Sequence, residues 1–176
     1  MYKGGGLSAL AYTMIESPVG PLLAAGYDGA LAILAFSTGR TVLRPGDDWV
    51  RDAGAFVEVE RQLAAYFAGE LKTFELALKF EGTDFQRRAW SALAEIPYGE
   101  TWSYGEMAAR LGNPKASRAV GAANGANPLP IVLPCHRVIG ANGSLTGFGG
   151  GLDTKTFLLD HERQIVGGGG YQPRLI

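Results

Sequence analysis

Two four-residue signatures, Thr83-Asp84-Phe85-Gln86 and Ser103-Tyr104-Gly105-Glu106, constrain this chain more than any total taken over it. Each is a capping box. The leading hydroxyl accepts a hydrogen bond from the amide three residues on, and the Gln or Glu side chain returns one, so a helix starts at each site. Stop signals follow closely. The first helix carries Phe85, Ala89, Leu93 and Ile96 and meets Pro97-Tyr98-Gly99; the second carries Met107, Ala108 and Leu111 and meets Gly112-Asn113-Pro114. A further helix is predicted from Lys115 to Gly125. Short helices joined by a Gly-containing turn make a helix-turn-helix, which either meets nucleic acid or packs inside a protein that touches none.

The first part of the chain reads differently. Ala11–Ile15, Leu22–Ala25 and Leu31–Phe36 are short apolar runs separated by the turns Ser17-Pro18-Val19-Gly20 and Asp28-Gly29, the pattern of an antiparallel meander. After a polar loop with Pro45-Gly46-Asp47-Asp48, Phe56, Val59, Leu63, Tyr66 and Phe67 recur at helical spacing up to Gly69. The expected organisation is α+β: a sheet-and-helix domain over 1–81, a mostly helical domain over 82–164 and a flexible tail over 165–176. A last helix is predicted from Thr154 to Gln164.

The 176 residues are 47% hydrophobic, enough for packed cores. One cysteine cannot form an intrachain disulfide, and neither a leader pattern nor a long uninterrupted apolar run is present, so the expected setting is the cytoplasm with no membrane partner. Cys135, His136 and His161 lack the paired spacings of a zinc site, so no metal and no cofactor is expected. The net charge of -1 hides an asymmetry. Residues 1–81 hold ten acids and seven bases (-3), whereas 82–176 hold seven acids and nine bases (+2). No Asp or Glu stands between Met107 and Leu152, a stretch that carries Arg110, Lys115, Arg118 and Arg137. That suits a surface meeting a polyanion, or equally a solvated face.

Chemistry points to Cys135, set in Ile131-Val132-Leu133-Pro134-Cys135-His136-Arg137-Val138-Ile139-Gly140. A thiol beside histidine and arginine is in surroundings that lower its pKa and make it a nucleophile; the other reading is a buried, inert cysteine. Asn127-Pro128 and Pro130 predict an extended approach to it. Consecutive residues of an extended segment point to opposite sides, so His136 is expected to reach the sulfur through a water or a local bend. The helix predicted over 115–125 is built of Ala116, Ala119, Gly121, Ala122, Ala123 and Gly125 around the long cation Arg118: small residues permit close approach to another surface, or burial against the protein itself. Gly147-Phe148-Gly149-Gly150-Gly151 has no following Lys-Ser/Thr and is not a phosphate loop.

In this order the blocks Gly82–Gln86 with Trp90, Ile96–Thr101 with Ser103-Tyr104-Gly105, Arg118–Gly121, Asn127-Pro128, Pro134–Gly140, and Gly147–Leu152 with Lys155 and Leu158-Leu159 resemble the O6-alkylguanine-DNA alkyltransferase family. The resemblance covers 82–163 closely and the first 81 residues loosely. It implies a ribonuclease-H-like first domain, a winged-helix-like second one, and a protein consumed in repair: the alkyl group of O6-alkylguanine, and of O4-alkylthymine, moves from double-stranded DNA to Cys135. It further implies that His136 deprotonates the thiol, Glu162 orients His136, Asn127 braces the turn before the cysteine, and Tyr104 donates to the leaving base and helps rotate the nucleotide outward. Arg118 would fill the vacated stack, with Lys115, Ser117 and Ala119 also against the minor groove, and Val138, Ser144, Phe148 and Gly149 would line the pocket of a monomer.

Phe148 stands where members of that family often have tyrosine, which leaves a ring wall without a hydroxyl. Arg137 is expected to tie the two domains by a salt bridge. A different class, a cysteine hydrolase using Cys135, His136 and Glu162, would turn over repeatedly through an acyl-enzyme. Adjacent Cys and His argue against it, because a general acid must also reach the leaving group.

Overall fold

The computed structural model describes residues 9–39 and 42–167. The chain divides into two compact units, 1–80 and 81–176.

In the first unit, β1 (Ala11–Ile15), β2 (Leu22–Tyr27) and β3 (Ala30–Phe36) form the meander. Pairing is antiparallel, with Thr13 opposite Ala24 and Ala24 opposite Leu34. Asp28 and Gly29 both adopt positive φ (54° and 74°), the backbone that a tight hairpin between twisted strands needs. Gly26 has a different reason to be glycine. A Cβ there would lie 2.0 Å from the Ala30 carbonyl oxygen, at the irregularity where the β2–β3 register shifts. A short strand, β4 (Val50–Arg51), adds in parallel to β1 and gives the order β3-β2-β1-β4. It falls just past the polar loop, where no strand was expected, and two residues are too few to leave a periodic signal.

Helix α1 (Val57–Phe67), entered through a 3-10 turn at Ala53–Phe56, buries Val59, Leu63 and Tyr66 together with Gln62. The Gln62 amide is satisfied on both sides by the backbone of Glu75, whose N–H and carbonyl each lie 2.9 Å away. This polar clamp fixes the extended segment that follows, and Leu78 bridges Leu31 of β3 in parallel.

In the second unit, α2 (Asp84–Leu93) and α3 (Tyr104–Arg110) start at complete capping boxes on Thr83/Gln86 and Ser103/Glu106. Helix α4 (Ser117–Gly125) begins two residues later than the sequence pattern suggested, because Lys115 and Ala116 belong to the turn: Lys115 N–H donates to Asn113 Oδ1 and Ala116 N–H to the Asn113 carbonyl. Trp90 buries its ring and donates Nε1–H to the Ala123 carbonyl at 2.8 Å, tying α2 to α4. Strands β5 (Trp102–Ser103) and β6 (Val138–Ile139) pair in parallel, a two-stranded element that sequence reading missed for the same reason as β4. Helix α5 runs over Leu152–Gly167, so 165–167 are helix rather than tail, and the rest of the expected tail lies outside the described residues. No described helix is long and apolar enough to cross a membrane.

The capping boxes make a stability prediction. Ser103→Ala removes an acceptor held 3.0 Å from the Glu106 amide and should lower the unfolding free energy by about 1 kcal/mol, read as a lower urea midpoint at unchanged m-value. Ser103→Asp, which still caps, should lose far less, and equal losses would show that the box does not hold this helix start.

Candidate active site

The segment between α4 and β6 carries the cysteine, and its shape is set by Asn127. The Asn127 carboxamide accepts from Leu129 N–H at 2.9 Å and donates to the Leu133 carbonyl at 2.8 Å, closing the intervening residues into a loop. Within that loop the buried Ile131 takes φ of 72°, costly for a β-branched residue by about 1–3 kcal/mol and held by the surrounding packing. The approach to Cys135 is therefore curled. Cys135–Arg137 itself is a 3-10 turn, not the extended run expected from the prolines, and this is the local bend that departs from strand alternation.

Every residue of the turn is buried, His136 completely. Glu162 of α5, also 0% exposed, meets two of them. His136 Nε2 lies 3.1 Å from Oε2, and Arg137 donates from Nε at 3.0 Å to each carboxylate oxygen and from Nη2 at 2.5 Å to Oε1. Arg137 Nη1 donates to the Ile96 carbonyl at 2.8 Å. The guanidinium is thus committed inside the second unit to Glu162 and Ile96. Burial alone would raise the Glu162 carboxyl, but hydrogen bonds from His136 and Arg137 outweigh it and hold the group at about 2. Burial lowers His136, against the opposing pull of Glu162, so the imidazole rests neutral. A carboxylate accepts only, so Nε2 carries the proton and Nδ1 presents a lone pair; that Nδ1 is buried with no hydrogen-bond partner among the described residues.

Cys135 is 6% exposed, and burial pushes its thiol above the ordinary value. Asn127, Lys155 and nearby backbone amides pull the other way without winning. The low pKa expected from the flanking His and Arg is corrected accordingly: Arg137 is neutralised by Glu162 and His136 is uncharged, so neither lends a positive charge to the sulfur.

Helix α5 presents Lys155, Leu158, Leu159 and Glu162 to the interior. Lys155 is the residue that sequence reading left without a role. The i, i+3, i+4, i+7 spacing was the available signal, since two charged residues bracket an apolar pair on one helical stripe. Its Nζ donates to the Val138 carbonyl at 2.7 Å and the Thr146 carbonyl at 3.2 Å. The Thr146 carbonyl also accepts from the Tyr104 hydroxyl at 3.4 Å.

The remaining expected residues fall into two groups. Val138 and Phe148 are buried, while Gly149 is partly buried with open space where a Cβ would stand. Ser144 is folded into a tight turn, its carbonyl accepting from Gly140 N–H at 2.9 Å and its amide donating to Asn142 Oδ1 at 3.0 Å. Arg118 and Ala119 are exposed on α4, Ser117 is partly buried at its start, and Lys115 is exposed in the preceding turn. With Arg110 also exposed and Arg137 buried, the acid-free stretch leaves three outward cations. Among the described residues no group of three His, Cys, Asp or Glu is placed to hold a metal ion.

The buried network predicts an acid response with two stages. His136 has a folded pKa below its ordinary 6.5, so the unfolded chain binds the proton first and stability falls as pH drops below about 6.5. Glu162, depressed from 4.5 to about 2, contributes stability that is full above 4.5 and is lost as pH falls towards 2. Urea midpoints should show both declines. In His136→Gln, whose neutral amide can still donate to Glu162, the first should vanish and the second remain.

Comparison with known proteins bears on this arrangement. Residues 84–164 match the 6-O-methylguanine DNA methyltransferase DNA binding domain, and residues 10–80 match the ribonuclease-like domain of the same description. The chain is 56% identical over 151 residues to a methylated-DNA–protein-cysteine methyltransferase of Methanosarcina acetivorans, covering 86% of this chain and 97% of that one. It is 53% identical over 152 residues to the protein of that name from Mycobacterium tuberculosis, covering 86% and 92%. The crystal structure of Mycobacterium tuberculosis OGT in complex with DNA superposes with a TM-score of 0.83 at 51% identity, covering 88% of this chain and 94% of that one.

Proposed function

The chain belongs to the 6-O-methylguanine DNA methyltransferase family, a DNA-repair family that moves an alkyl group from DNA to a cysteine of the protein, and from that premise we propose that Cys135 is the accepting sulfur and O6-alkylguanine the lesion. The observation that carries the assignment is the buried His136–Glu162 pair next in sequence to the only thiol of the chain, a pair in which a neutral imidazole keeps one lone pair unspent.

The steps follow from the atoms. A buried polar site with an unsatisfied nitrogen is where a bridging water gains two partners, and through it the Cys135 proton passes to His136 Nδ1. Glu162 then faces an imidazolium whose charge it offsets. The thiolate attacks the saturated carbon on O6, the carbon–oxygen bond breaks, and the departing guanine needs a proton or hydrogen bond, which Tyr104 supplies on releasing the Thr146 carbonyl. The product is a thioether. It has no electrophilic carbonyl for water to attack, so each protein acts once; O4-alkylthymine offers the same kind of carbon.

A carbon held within the duplex is out of reach of a sulfur in a 3-10 turn, so the nucleotide must leave the stack. Exposed Arg118 is the side chain on α4 long enough to occupy the gap, and Ala119 and Gly121 let the helix approach the minor groove closely. Lys115 and Ser117 meet the backbone there, and Val138, Ser144, Phe148 and Gly149 enclose the base. The protein acts as a monomer in the cytoplasm, where a lone thiol stays reduced. A hydrolase is disfavoured by the burial of His136, which leaves it no path to a bulky leaving group.

Incubation with a duplex containing O6-methylguanine should add one methyl mass to the intact chain, on the peptide holding Cys135, and stop after one equivalent. Repeated turnover or an unchanged mass would reject the assignment. Arg118→Ala should slow transfer from duplex by roughly tenfold while sparing transfer from the free base, since only the duplex has a stack to fill; equal loss on both would remove Arg118 from that role. Tyr104→Phe should slow transfer by roughly tenfold or more with duplex affinity retained, as measured by single-turnover rates and gel shift.

A further inference from the structure

Among the described residues the second unit buries two side chains that are cationic at neutral pH, Arg137 and Lys155, and only the first has a carboxylate partner. Lys155 is 1% exposed, and its ammonium spends two of its three protons on carbonyls that carry no formal charge. The charged and titratable groups around it are few. Cys135 and His136 of the 3-10 turn are close enough to feel its charge, and the Tyr104 ring of α3 lies with its centroid 6.0 Å from Nζ. Arg137 and Glu162, further along, neutralise each other.

An uncompensated ammonium in a protein interior is expensive and is kept where an opposite charge forms. The group near it that acquires negative charge is the Cys135 sulfur. We propose that Lys155 is a positioning residue for alkyl transfer: clamped on the carbonyls of Val138 and Thr146, its ammonium is the fixed counter-charge that the Cys135 thiolate meets as it forms. This rests on Cys135 being the acceptor. Burial draws the ammonium down to about 8 and attraction to the sulfur opposes that; the same attraction lowers the thiol against its own burial. The clamp has a second consequence. The Thr146 carbonyl is shared with the Tyr104 hydroxyl, so one carbonyl links the charge beside the nucleophile to the donor aimed at the leaving base.

The test reads the sulfur without DNA. Second-order alkylation of Cys135 by iodoacetamide, followed by intact mass from pH 6 to about 10.5, reports the thiolate fraction. Lys155→Met should react about tenfold more slowly than wild type at pH 7, one unit of thiol pKa. The gap should close as pH rises through about 8, where wild-type Lys155 loses its own proton. A deficit constant at every pH is what a merely structural lysine would give and overturns the proposal, as does no deficit at all. Lys155→Arg should restore most of the iodoacetamide profile yet remain slow on O6-methylguanine duplex, because a planar guanidinium cannot hold both carbonyls as the ammonium does. If neither variant folds, lysine-labelled wild type decides: the Lys155 Cε titration should move to lower pH by roughly half a unit or more once Cys135 is methylated, and an unmoved midpoint overturns the proposal. Failure of Cys135 to gain mass from damaged duplex would instead strike the repair assignment, which none of these iodoacetamide rates depends on.

Discussion

The carboxylate of Glu162 is the contact on which the second unit turns. It is fully buried on α5, yet it faces two consecutive residues of the cysteine turn, taking the ring nitrogen of His136 and the forked guanidinium of Arg137. A buried carboxylate without partners would be driven towards its neutral form; with both donors present it stays ionised far below the pH of any cell. Its removal would strand Arg137 in the interior, with a cost of about 3–5 kcal/mol. The same carboxylate decides which imidazole nitrogen carries the proton, and so which one keeps a free lone pair.

The resting site is closed, and the two residues that follow the cysteine lend it no net charge. The thiol is buried and raised, the imidazole neutral, and the guanidinium spent on its own carboxylate. For a protein that is used up by a single reaction, a cysteine permanently ionised would be open to any soluble electrophile. In the proposed reading, protection and reactivity are reconciled by keeping the charges one step away: a proton acceptor with a free lone pair on one side, an ammonium on the other. The outward face is organised on a different principle. Helix α4 offers small residues and one long cation within a stretch of chain that carries no acidic side chain, which suits attraction to phosphate and close approach at once.

Much of this was legible in the sequence because it is local. The capping boxes at Thr83 and Ser103, the Asp28-Gly29 hairpin, the apolar stripe of α1 and the Pro-Cys-His-Arg-Val block each act within a few residues of chain, and a family resemblance adds what such blocks imply together. The strands β4 and β5–β6 were missed because two-residue strands owe their existence to a distant partner, not to a pattern of their own. Lys155 has no role legible in the sequence, since a lysine on a helix reads as a solvated cation until the opposite wall is known.

By itself, then, the chain determined where its helices begin, which residue carries its one thiol and which stretch is free of negative charge, because hydrogen bonds between near neighbours and side-chain chemistry need no long-range partner. Tertiary structure alone decided the state of those groups. Whether Cys135 is raised or lowered, whether Arg137 serves the sulfur or Glu162, and which cation is left unneutralised depend on burial and on elements far apart in sequence: residues 96, 137 and 162 around one guanidinium, and residues 104, 138, 146 and 155 around one ammonium. Electrostatic energies in a protein interior are set by distance and dielectric, and neither is written in the order of the residues.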